Sequence, residues 1–282
     1  MRIARHGPPG MERPIISPAG GGWYDLTPMT PDITPDFLHD GLDLARAALA
    51  ADRLPAVQVS GRFGPPLRRP GKVVCVGLNY RDHAEETGTA LPDEPIIFMK
   101  APDTVVGPDD DVLIPRGSAK TDWEVELAVV IGRTARYLDS EAEALACIAG
   151  YAISHDVSER EFQLERGGQW DKGKSCETFN PFGPWITTAD AIGDPQALSL
   201  RLSVNGAVRQ HGSTANMIFG VAEIVRYLSR FMVLYPGDVI NTGTPAGVAL
   251  GAPDPKPYLR PGDIVDIEID GLGQQRQLFR EA

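Results

Sequence analysis

The chain has few cysteines and no long apolar segment. Its three cysteines, Cys75, Cys147 and Cys176, are isolated from one another, which argues against both a disulfide framework and a zinc site. No apolar run approaches the ~20 residues that a membrane helix requires, and residues 1–9 lack the apolar core of a signal peptide. We therefore expect a cytoplasmic protein with no membrane partner.

Two catalytic motifs and an excess of basic residues are also absent. The sequence has no Gly-x-Ser-x-Gly elbow, which gives serine-hydrolase chemistry little support, and no Gly-x-Gly-x-x-Gly dinucleotide motif. Lysine and arginine total 27 against 38 aspartates and glutamates, and the net charge is -11. Because phosphate binding needs a basic surface, nucleic acid is not an expected partner.

Glycine and proline, by contrast, are abundant. The 30 glycines and 25 prolines make up about a fifth of the 282 residues, which favours a body rich in turns and strands over a helical bundle. Residues 1–70 are predicted to form a small N-terminal domain that ends in a linker at 64–70, and residues 71–282 a larger domain. We predict an α+β, β-rich fold with a few peripheral helices.

The larger domain is predicted to consist mainly of strands. Asn205-Gly206 follows an alternating segment and indicates a two-residue hairpin. Apolar residues at helical spacing predict a helix over 219–231, and Asp139 or Ser140 is the expected N-cap of another. The predicted strands cover 72–78, 96–99, 124–131, 151–156, 198–204, 239–242, 264–269 and 274–279.

Two glutamates at the start of the strand over 124–131 are the first candidate site residues. Side chains alternate between the faces of a strand, so Glu124 and Glu126 point to one side and Val125 and Leu127 to the other. Two adjacent ionised carboxylates repel each other and favour a hard divalent cation such as Mg²⁺, Mn²⁺ or Ca²⁺. The alternative is a solvated strand face that carries two acids.

A third carboxylate closes another predicted strand. Asp156 follows the apolar segment 151–155, and this position suits a third ligand of an octahedral cation that keeps open positions for substrate. The alternative is that Asp156 caps a helix beginning at Ser158.

A histidine and a glutamate lie three residues apart in a segment that is predicted to be helical over 79–86. His83 and Glu86 would share one face of that helix. A carboxylate beside an imidazole orients it and raises its basicity, which is what a general base for water requires. The alternative is a surface helix of mixed charge.

A glycine-rich segment over 167–175 carries two lysines, Lys172 and Lys174. It lacks the spacing of a phosphate-binding P-loop. One of these lysines could bind a substrate carboxylate or enolate, and an extended segment would turn both to the same side. The segment could equally be a flexible surface loop.

Taken together and in order, these segments resemble the fumarylacetoacetate hydrolase family over about residues 72–279. The matching segments are Val76-Gly77-Leu78-Asn79-Tyr80-Arg81-Asp82-His83, Pro95-Ile96-Ile97-Phe98-Met99-Lys100, Trp123-Glu124-Val125-Glu126-Leu127, Gly150-Tyr151 through Asp156-Val157-Ser158-Glu159-Arg160, Lys172-Gly173-Lys174-Ser175, Asn205-Gly206, Met217-Ile218-Phe219, Pro236-Gly237-Asp238 and Thr242-Gly243-Thr244-Pro245. Each match alone is weak, and the ordered set is specific.

The resemblance implies a mixed β-sandwich roll with peripheral helices, usually assembled as a homodimer. It also implies Mg²⁺ or Mn²⁺ held by three carboxylates and a small anionic 2-oxo acid as substrate. By position, the implied metal ligands are Glu124, Glu126 and Asp156. The implied catalytic residues are His83, Glu86 and Lys174, and the implied substrate contacts are Arg160, Gln163 and Thr242.

The family resemblance also narrows the expected reaction. Larger animal members carry a further metal-binding aspartate seven residues before the histidine, where this chain has Val76. The chain is therefore similar to the shorter acylpyruvase or diketo-deoxy-sugar-acid hydrolase branch. The implied activity is cleavage of a C–C bond in a 2,4-dioxo acid through a metal-stabilised enolate. The alternatives are a 2-oxo acid decarboxylase, an isomerase, a ureidoglycolate lyase-like enzyme and a non-catalytic metal-binding protein.

Overall fold

Strands form most of the regular structure in residues 1–19 and 21–282, which the computed structural model describes. The strands are β1 (Arg2–His6), β2 (Arg13–Ser17), β3 (Trp23–Asp25), β4 (Ala56–Val57), β5 (Phe63–Gly64), β6 (Val73–Gly77), β7 (Ile96–Lys100), β8 (Val105–Val106), β9 (Val112–Ile114), β10 (Thr121–Asp122), β11 (Val125–Ile131), β12 (Ile148–His155), β13 (Ser158–Glu159), β14 (Asn180–Thr188), β15 (Ser199–Val204), β16 (Ala207–Ser213), β17 (Val239–Asn241), β18 (Ile264–Ile269) and β19 (Gly273–Glu281). The α-helices are α1 (Leu42–Ala50), α2 (Arg81–Thr87), α3 (Glu141–Ala146), α4 (Asp171–Lys174) and α5 (Val221–Leu228). Phe37–Gly41 and Glu161–Glu165 are π-helical, and short 3₁₀ turns occupy Pro102–Thr104, Ala189–Ala191, Thr214–Asn216 and Ala249–Gly251.

Two large sheets organise these strands. The longer sheet runs in the order β4-β3-β2-β1-β14-β12-β11-β17-β6-β7, with β5 beside β1 and β8 beside β14. The second sheet runs β16-β15-β18-β19-β9, and β10 pairs with β13 in a short ladder. Most neighbours are antiparallel, while β6 and β17, β8 and β14, and β9 and β19 are parallel pairs. Mixed sheets with separate helices agree with the predicted α+β class.

The main core lies between the two sheets. Val125 and Leu127 of β11 belong to one buried cluster with Leu200 and Leu202 of β15 and Ile267 of β18. Burial of these side chains on both sheets removes apolar surface from water, which is the dominant favourable term in folding.

The opposite face of β11 is buried as well. Ala128 and Val130 belong to a second cluster with Ile3, Ile16 and Phe37 of the N-terminal segment. Strand β11 is thus covered on both faces, and each of its 7 residues is buried. The predicted alternation within this strand is confirmed.

Several local predictions are also confirmed by the structure. β15 and β16 form a hairpin around Asn205 and Gly206, whose φ angles of 51° and 80° suit a two-residue turn. Ser140 caps α3, because its side chain accepts a hydrogen bond from the Glu143 N–H. The helix predicted over 219–231 is shorter and spans Val221–Leu228.

The predicted domain boundary near residue 70 stays a prediction. The longer sheet runs across this boundary, because β1 pairs with β14 at Arg2–Thr187 and Ile3–Ile186.

In the part of the chain that the structure describes, no helix has the length and apolar character to cross a membrane.

Candidate active site

Three buried carboxylates meet where β11 and β12 lie side by side. The two strands are antiparallel, with Val125 opposite His155, and the Asp156 N–H donates to the Glu124 carbonyl at 3.0 Å. This register brings Glu124, Glu126 and Asp156 together, with one ligand atom from each within 4.8 Å of the others. All three residues are buried.

The alternative interpretation of Asp156 is wrong. Ser158–Glu159 forms strand β13, which pairs with β10. No helix therefore begins at Ser158, and Asp156 does not serve as its cap.

Glu126 carries the least compensated charge of the three carboxylates. Its Oε2 accepts a hydrogen bond from the Gly243 N–H at 2.8 Å, whereas Glu124 and Asp156 both contact Lys174. Burial raises the pKa of Glu126 well above its ordinary value, and the charges of Asp156 and Glu124 raise it further. Three buried oxygen donors with an uncompensated charge fit a hard divalent cation such as Mg²⁺ or Mn²⁺.

Lys174 is a buried lysine that bridges two of the three carboxylates. Its Nζ donates to Glu124 Oε2 at 2.7 Å and to Asp156 Oδ2 at 2.8 Å. Burial alone would raise the pKa of Glu124, but the charges of Lys174 and Arg160 outweigh it and hold that pKa below its usual value. Glu124 is therefore ionised at neutral pH and remains available as an oxygen ligand.

The structure separates the two lysines that the sequence left equivalent. Lys172 and Lys174 lie on the helical turn α4, and not on an extended segment, so they do not face the same side. Lys172 is exposed and donates to the Arg166 carbonyl at 2.7 Å. Gly173 lies against β13, where an added Cβ would come within 2.3 Å of the Glu159 carbonyl oxygen. Glycine at this position allows the close approach that buries Lys174.

Arg160 joins the carboxylates to a neighbouring loop. Its guanidinium donates to Glu124 Oε1 at 2.6 Å, to Asp122 Oδ2 at 2.8 Å and to Gln163 Oε1 at 2.9 Å. Asp122 also accepts the N–H groups of Ala249 at 2.7 Å and Leu250 at 2.9 Å. Two candidate substrate contacts, Arg160 and Gln163, are thus fixed beside the carboxylates.

Two charged residues of this network, Lys100 and Asp122, were missed in the sequence. Lys100 is buried, and its Nζ donates to Asp156 Oδ1 at 2.5 Å and to the Val157 carbonyl at 3.0 Å. The available signal was a lysine on the same strand face as Phe98 at the end of an apolar segment. A buried lysine requires a paired carboxylate.

His83 and Glu86 occupy one face of α2, as predicted. His83 Nδ1 lies 3.3 Å from Glu86 Oε2, and the Gly247 N–H donates to the same carboxylate at 3.0 and 3.1 Å. Burial would raise the pKa of Glu86, but the hydrogen bonds from His83 and Gly247 lower it below its ordinary value. An ionised Glu86 favours the tautomer with a proton on Nδ1 and leaves Nε2 as the acceptor.

Most of these side chains line one cavity of about 190 Å³. It is lined by His83, Glu124, Glu126, Arg160, Gln163 and Lys174, together with Val76, Gly77, Leu78, Thr87, Thr89, Phe98, Leu164, Trp170, Gly243, Thr244 and Leu250. A pocket that combines apolar walls with a few converging charged groups is the expected form of an active site.

Thr242 is not brought into the lining of this cavity. Its hydroxyl donates to the Leu127 carbonyl at 2.8 Å, and the residue is fully buried. Its neighbours Gly243 and Thr244 line the cavity in its place. The hydrogen bond to β11 uses the hydroxyl proton, so the geometry does not support a direct substrate contact by Thr242.

Comparison with known proteins identifies a matching family and a similar relative. Residues 72–280 match the family model described as Fumarylacetoacetate (FAA) hydrolase C-terminal. A relative from Burkholderia multivorans named "Putative hydrolase" is 50% identical over 283 residues, with 100% of both chains covered.

Solved structures extend this likeness to the fold. The fumarylacetoacetate hydrolase of Exiguobacterium antarcticum is 38% identical with a TM-score of 0.86, and 100% of both chains is covered. The maleylpyruvate hydrolase of Sphingobium, solved with manganese(II) and pyruvate, is 29% identical with a TM-score of 0.81 and 100% coverage of both chains. A 5-carboxymethyl-2-hydroxymuconate delta-isomerase from Mycobacterium smegmatis is 31% identical with a TM-score of 0.77, covering 100% of this chain and 99% of its own. The predicted β-rich α+β fold is confirmed.

Proposed function

Because this chain belongs to the fumarylacetoacetate hydrolase family, we propose that it is a divalent-metal-dependent hydrolase of 2,4-dioxo acids. The substrate would be an acylpyruvate or a diketo-deoxy sugar acid, and the C3–C4 bond would be cleaved. One observation carries the proposal: His83, which is paired with Glu86, lines the same cavity as Glu124 and Glu126. A candidate base for water thus lies beside a site for a cation.

The carboxylate cluster would hold the cation through Glu124, Glu126 and Asp156. When bound, Mg²⁺ or Mn²⁺ supplies positive charge that stabilises negative charge on the reacting oxygens. The manganese and pyruvate in the Sphingobium maleylpyruvate hydrolase support both the choice of cation and the class of ligand. Arg160 and Lys174 add the cationic groups that an anionic 2-oxo acid needs.

His83 would act as the general base. Its Nε2 takes a proton from a water molecule, whose oxygen adds to the C4 carbonyl, and Glu86 holds the ring in the required orientation. The C3–C4 bond then breaks, and its electron pair remains on C3 as the enolate of pyruvate. C3 then takes up the proton that His83 accepted from water, which gives pyruvate and restores the neutral imidazole, and the other product is a carboxylic acid. Lys174 stabilises the enolate charge as it develops.

A panel of acylpyruvates with Mg²⁺ and with Mn²⁺ tests this proposal. We expect stoichiometric pyruvate and carboxylic acid, detected by a coupled lactate dehydrogenase assay and by chromatography. Turnover of oxaloacetate with no cleavage of any acylpyruvate would contradict the proposal and favour a decarboxylase.

An isomerase is the second candidate. The similarity to the 5-carboxymethyl-2-hydroxymuconate delta-isomerase from Mycobacterium smegmatis supports it. An isomerase would move a proton between carbon atoms of an unsaturated acid without adding water. Mass spectrometry separates the two reactions, because only hydrolysis in H₂¹⁸O places ¹⁸O in the carboxylic acid product.

Lys174 and Lys172 provide a matched pair of variants. We expect Lys174→Met to lower kcat/KM by at least about tenfold, or ~1.4 kcal/mol, because a buried ammonium beside the carboxylates is lost. Lys172→Met should have much less effect, because Lys172 is exposed and bonded to the Arg166 carbonyl. Steady-state kinetics on one acylpyruvate compare them, and a larger loss in Lys172→Met would contradict this assignment.

The assembly and location belong to the same proposal. We expect a cytoplasmic homodimer, an assembly that is usual in the family, and a mass close to twice 30.4 kDa in light scattering. Cys75, Cys147 and Cys176 are free thiols in the structure, which fits a reducing compartment. A monomer at working concentration would contradict the dimer.

A further inference from the structure

The base of the cavity is lined by charged side chains, whereas its mouth is apolar. At the base lie Glu124, Glu126, Arg160 and Lys174, each no more than 5% exposed. At the mouth lies Leu164, which is 44% exposed. A 2,4-dioxo acid whose carboxylate is held at the base must extend its acyl group toward this mouth.

Two aromatic rings form a wall that begins at the base of the cavity, where the Phe98 ring centroid lies 5.0 Å from Lys174 Nζ. Phe98 and Trp170 are in edge-to-face contact, with ring centroids 5.5 Å apart. Gly77 lies against this wall, and a Cβ at that position would come within 2.6 Å of the Trp170 ring. The absence of a side chain at Gly77 thus lets Trp170 pack into the cavity wall.

In the described lining, no cationic side chain lies at the mouth of the cavity to bind a second negative charge. Among the described residues, the cationic side chains of the lining are Arg160 and Lys174, and both are bonded to Glu124 at the base. The hydroxyls near the mouth belong to Thr87 and Thr89, which lie 3.0 Å from each other. A carboxylate that loses water without a cationic partner is strongly disfavoured.

On the basis of the proposed function, we infer that the outer half of this cavity binds a neutral, apolar acyl group. Trp170 and Leu164 are the specificity-determining residues of this half, and Leu250 is a further apolar residue of the cavity lining. Alkyl or aryl acylpyruvates are then preferred over substrates that end in a second carboxylate. The net charge of -11 adds to this preference, because it disfavours the approach of a dianion.

Binding of matched 2-oxo acids tests the inference without any turnover. Calorimetry on the Mn²⁺-loaded protein would compare 2-oxohexanoate with 2-oxoadipate, which has the same chain length and a second carboxylate. We expect 2-oxohexanoate to bind at least about tenfold more tightly, the smallest effect expected of a mismatch in an apolar pocket. Equal or tighter binding of 2-oxoadipate, or binding of neither acid, would overturn the inference.

A positive charge introduced at the mouth should weaken or abolish the preference for 2-oxohexanoate. Leu164→Arg is expected to improve 2-oxoadipate binding relative to 2-oxohexanoate by about tenfold or more, since Leu164 lines the mouth. Leu44→Arg is the matched control, because Leu44 is an exposed leucine on α1 outside the cavity lining. If both variants shift the ratio equally, the effect is one of net charge and the subsite assignment fails.

Hydrolysis assays keep this inference apart from the proposed function. Tight 2-oxohexanoate binding with no cleavage of hexanoylpyruvate would refute the hydrolase and leave the apolar subsite intact. Cleavage of acylpyruvates with a preference for the ω-carboxylated substrate would refute the subsite and leave the hydrolase intact.

Discussion

Replacing His83 with alanine is expected to lower kcat by about 10²–10⁴, the range for loss of a general base. His83 lines the cavity, and Glu86 accepts the hydrogen bond of its Nδ1. Water would then have to lose its proton without a positioned acceptor. Affinity for Mn²⁺ should stay nearly unchanged, because the three carboxylates come from the residue before β11, from β11 itself and from the residue after β12, and not from α2. Stopped-flow kinetics and calorimetry measure the two quantities separately.

His39 offers a control for the loss of an imidazole as such. Its Nδ1 lies 2.7 Å from Asp40 Oδ1, and this pair is exposed on the surface. His39→Ala should therefore retain wild-type kcat. If His83→Ala loses Mn²⁺ affinity in parallel with kcat, His83 is a ligand or a structural residue and its role as a base is wrong.

The three carboxylates could be predicted because the sequence patterns that identify them are local. Strand periodicity puts Glu124 and Glu126 on one face, and an apolar segment that ends in an acid identifies Asp156. The spacing of His83 and Glu86 is equally local, since it depends only on the geometry of one helix. The structure places all five residues around the predicted site.

The buried ion pairs could not be predicted in this way, because they depend on contacts between distant segments. Asp122 reads as a polar residue next to a strand, and only the fold brings Arg160 to it, 38 positions along the chain. Lys100 is likewise defined by Asp156, 56 positions away. No periodicity in the sequence reports such pairs.

The charge balance of the cluster explains why a substitution of Glu126 is the best test of metal binding. Four carboxylates, including Asp122, face the three cations Lys100, Lys174 and Arg160. A buried cluster with one excess negative charge either protonates or binds a cation. Among the described residues, Glu126 is the carboxylate of the four that has no cationic partner. Burial raises the pKa of Glu126, and the charges of Asp156 and Glu124 raise it further.

Glu126→Gln is expected to abolish metal binding and activity together while the fold persists. Glutamine has nearly the shape of a protonated glutamic acid, so it removes the repulsion from Asp156 and Glu124 that raises the pKa of Glu126. In EDTA the variant should therefore unfold at the same temperature as the wild type, or higher. Mn²⁺ at 100 times its Kd should stabilise the wild type by about 2.7 kcal/mol, and it should leave the melting temperature of Glu126→Gln unchanged.

The control and the chelator complete this test. Glu165→Gln removes a carboxylate that is 54% exposed and pairs with Lys120, so its response to Mn²⁺ should equal that of the wild type. EDTA should abolish wild-type activity, and added Mg²⁺ or Mn²⁺ should restore it. Full activity in chelated protein, or a normal Mn²⁺ response in Glu126→Gln, would remove the carboxylate cluster as the metal site. A cation there would allow three buried acids to remain ionised side by side.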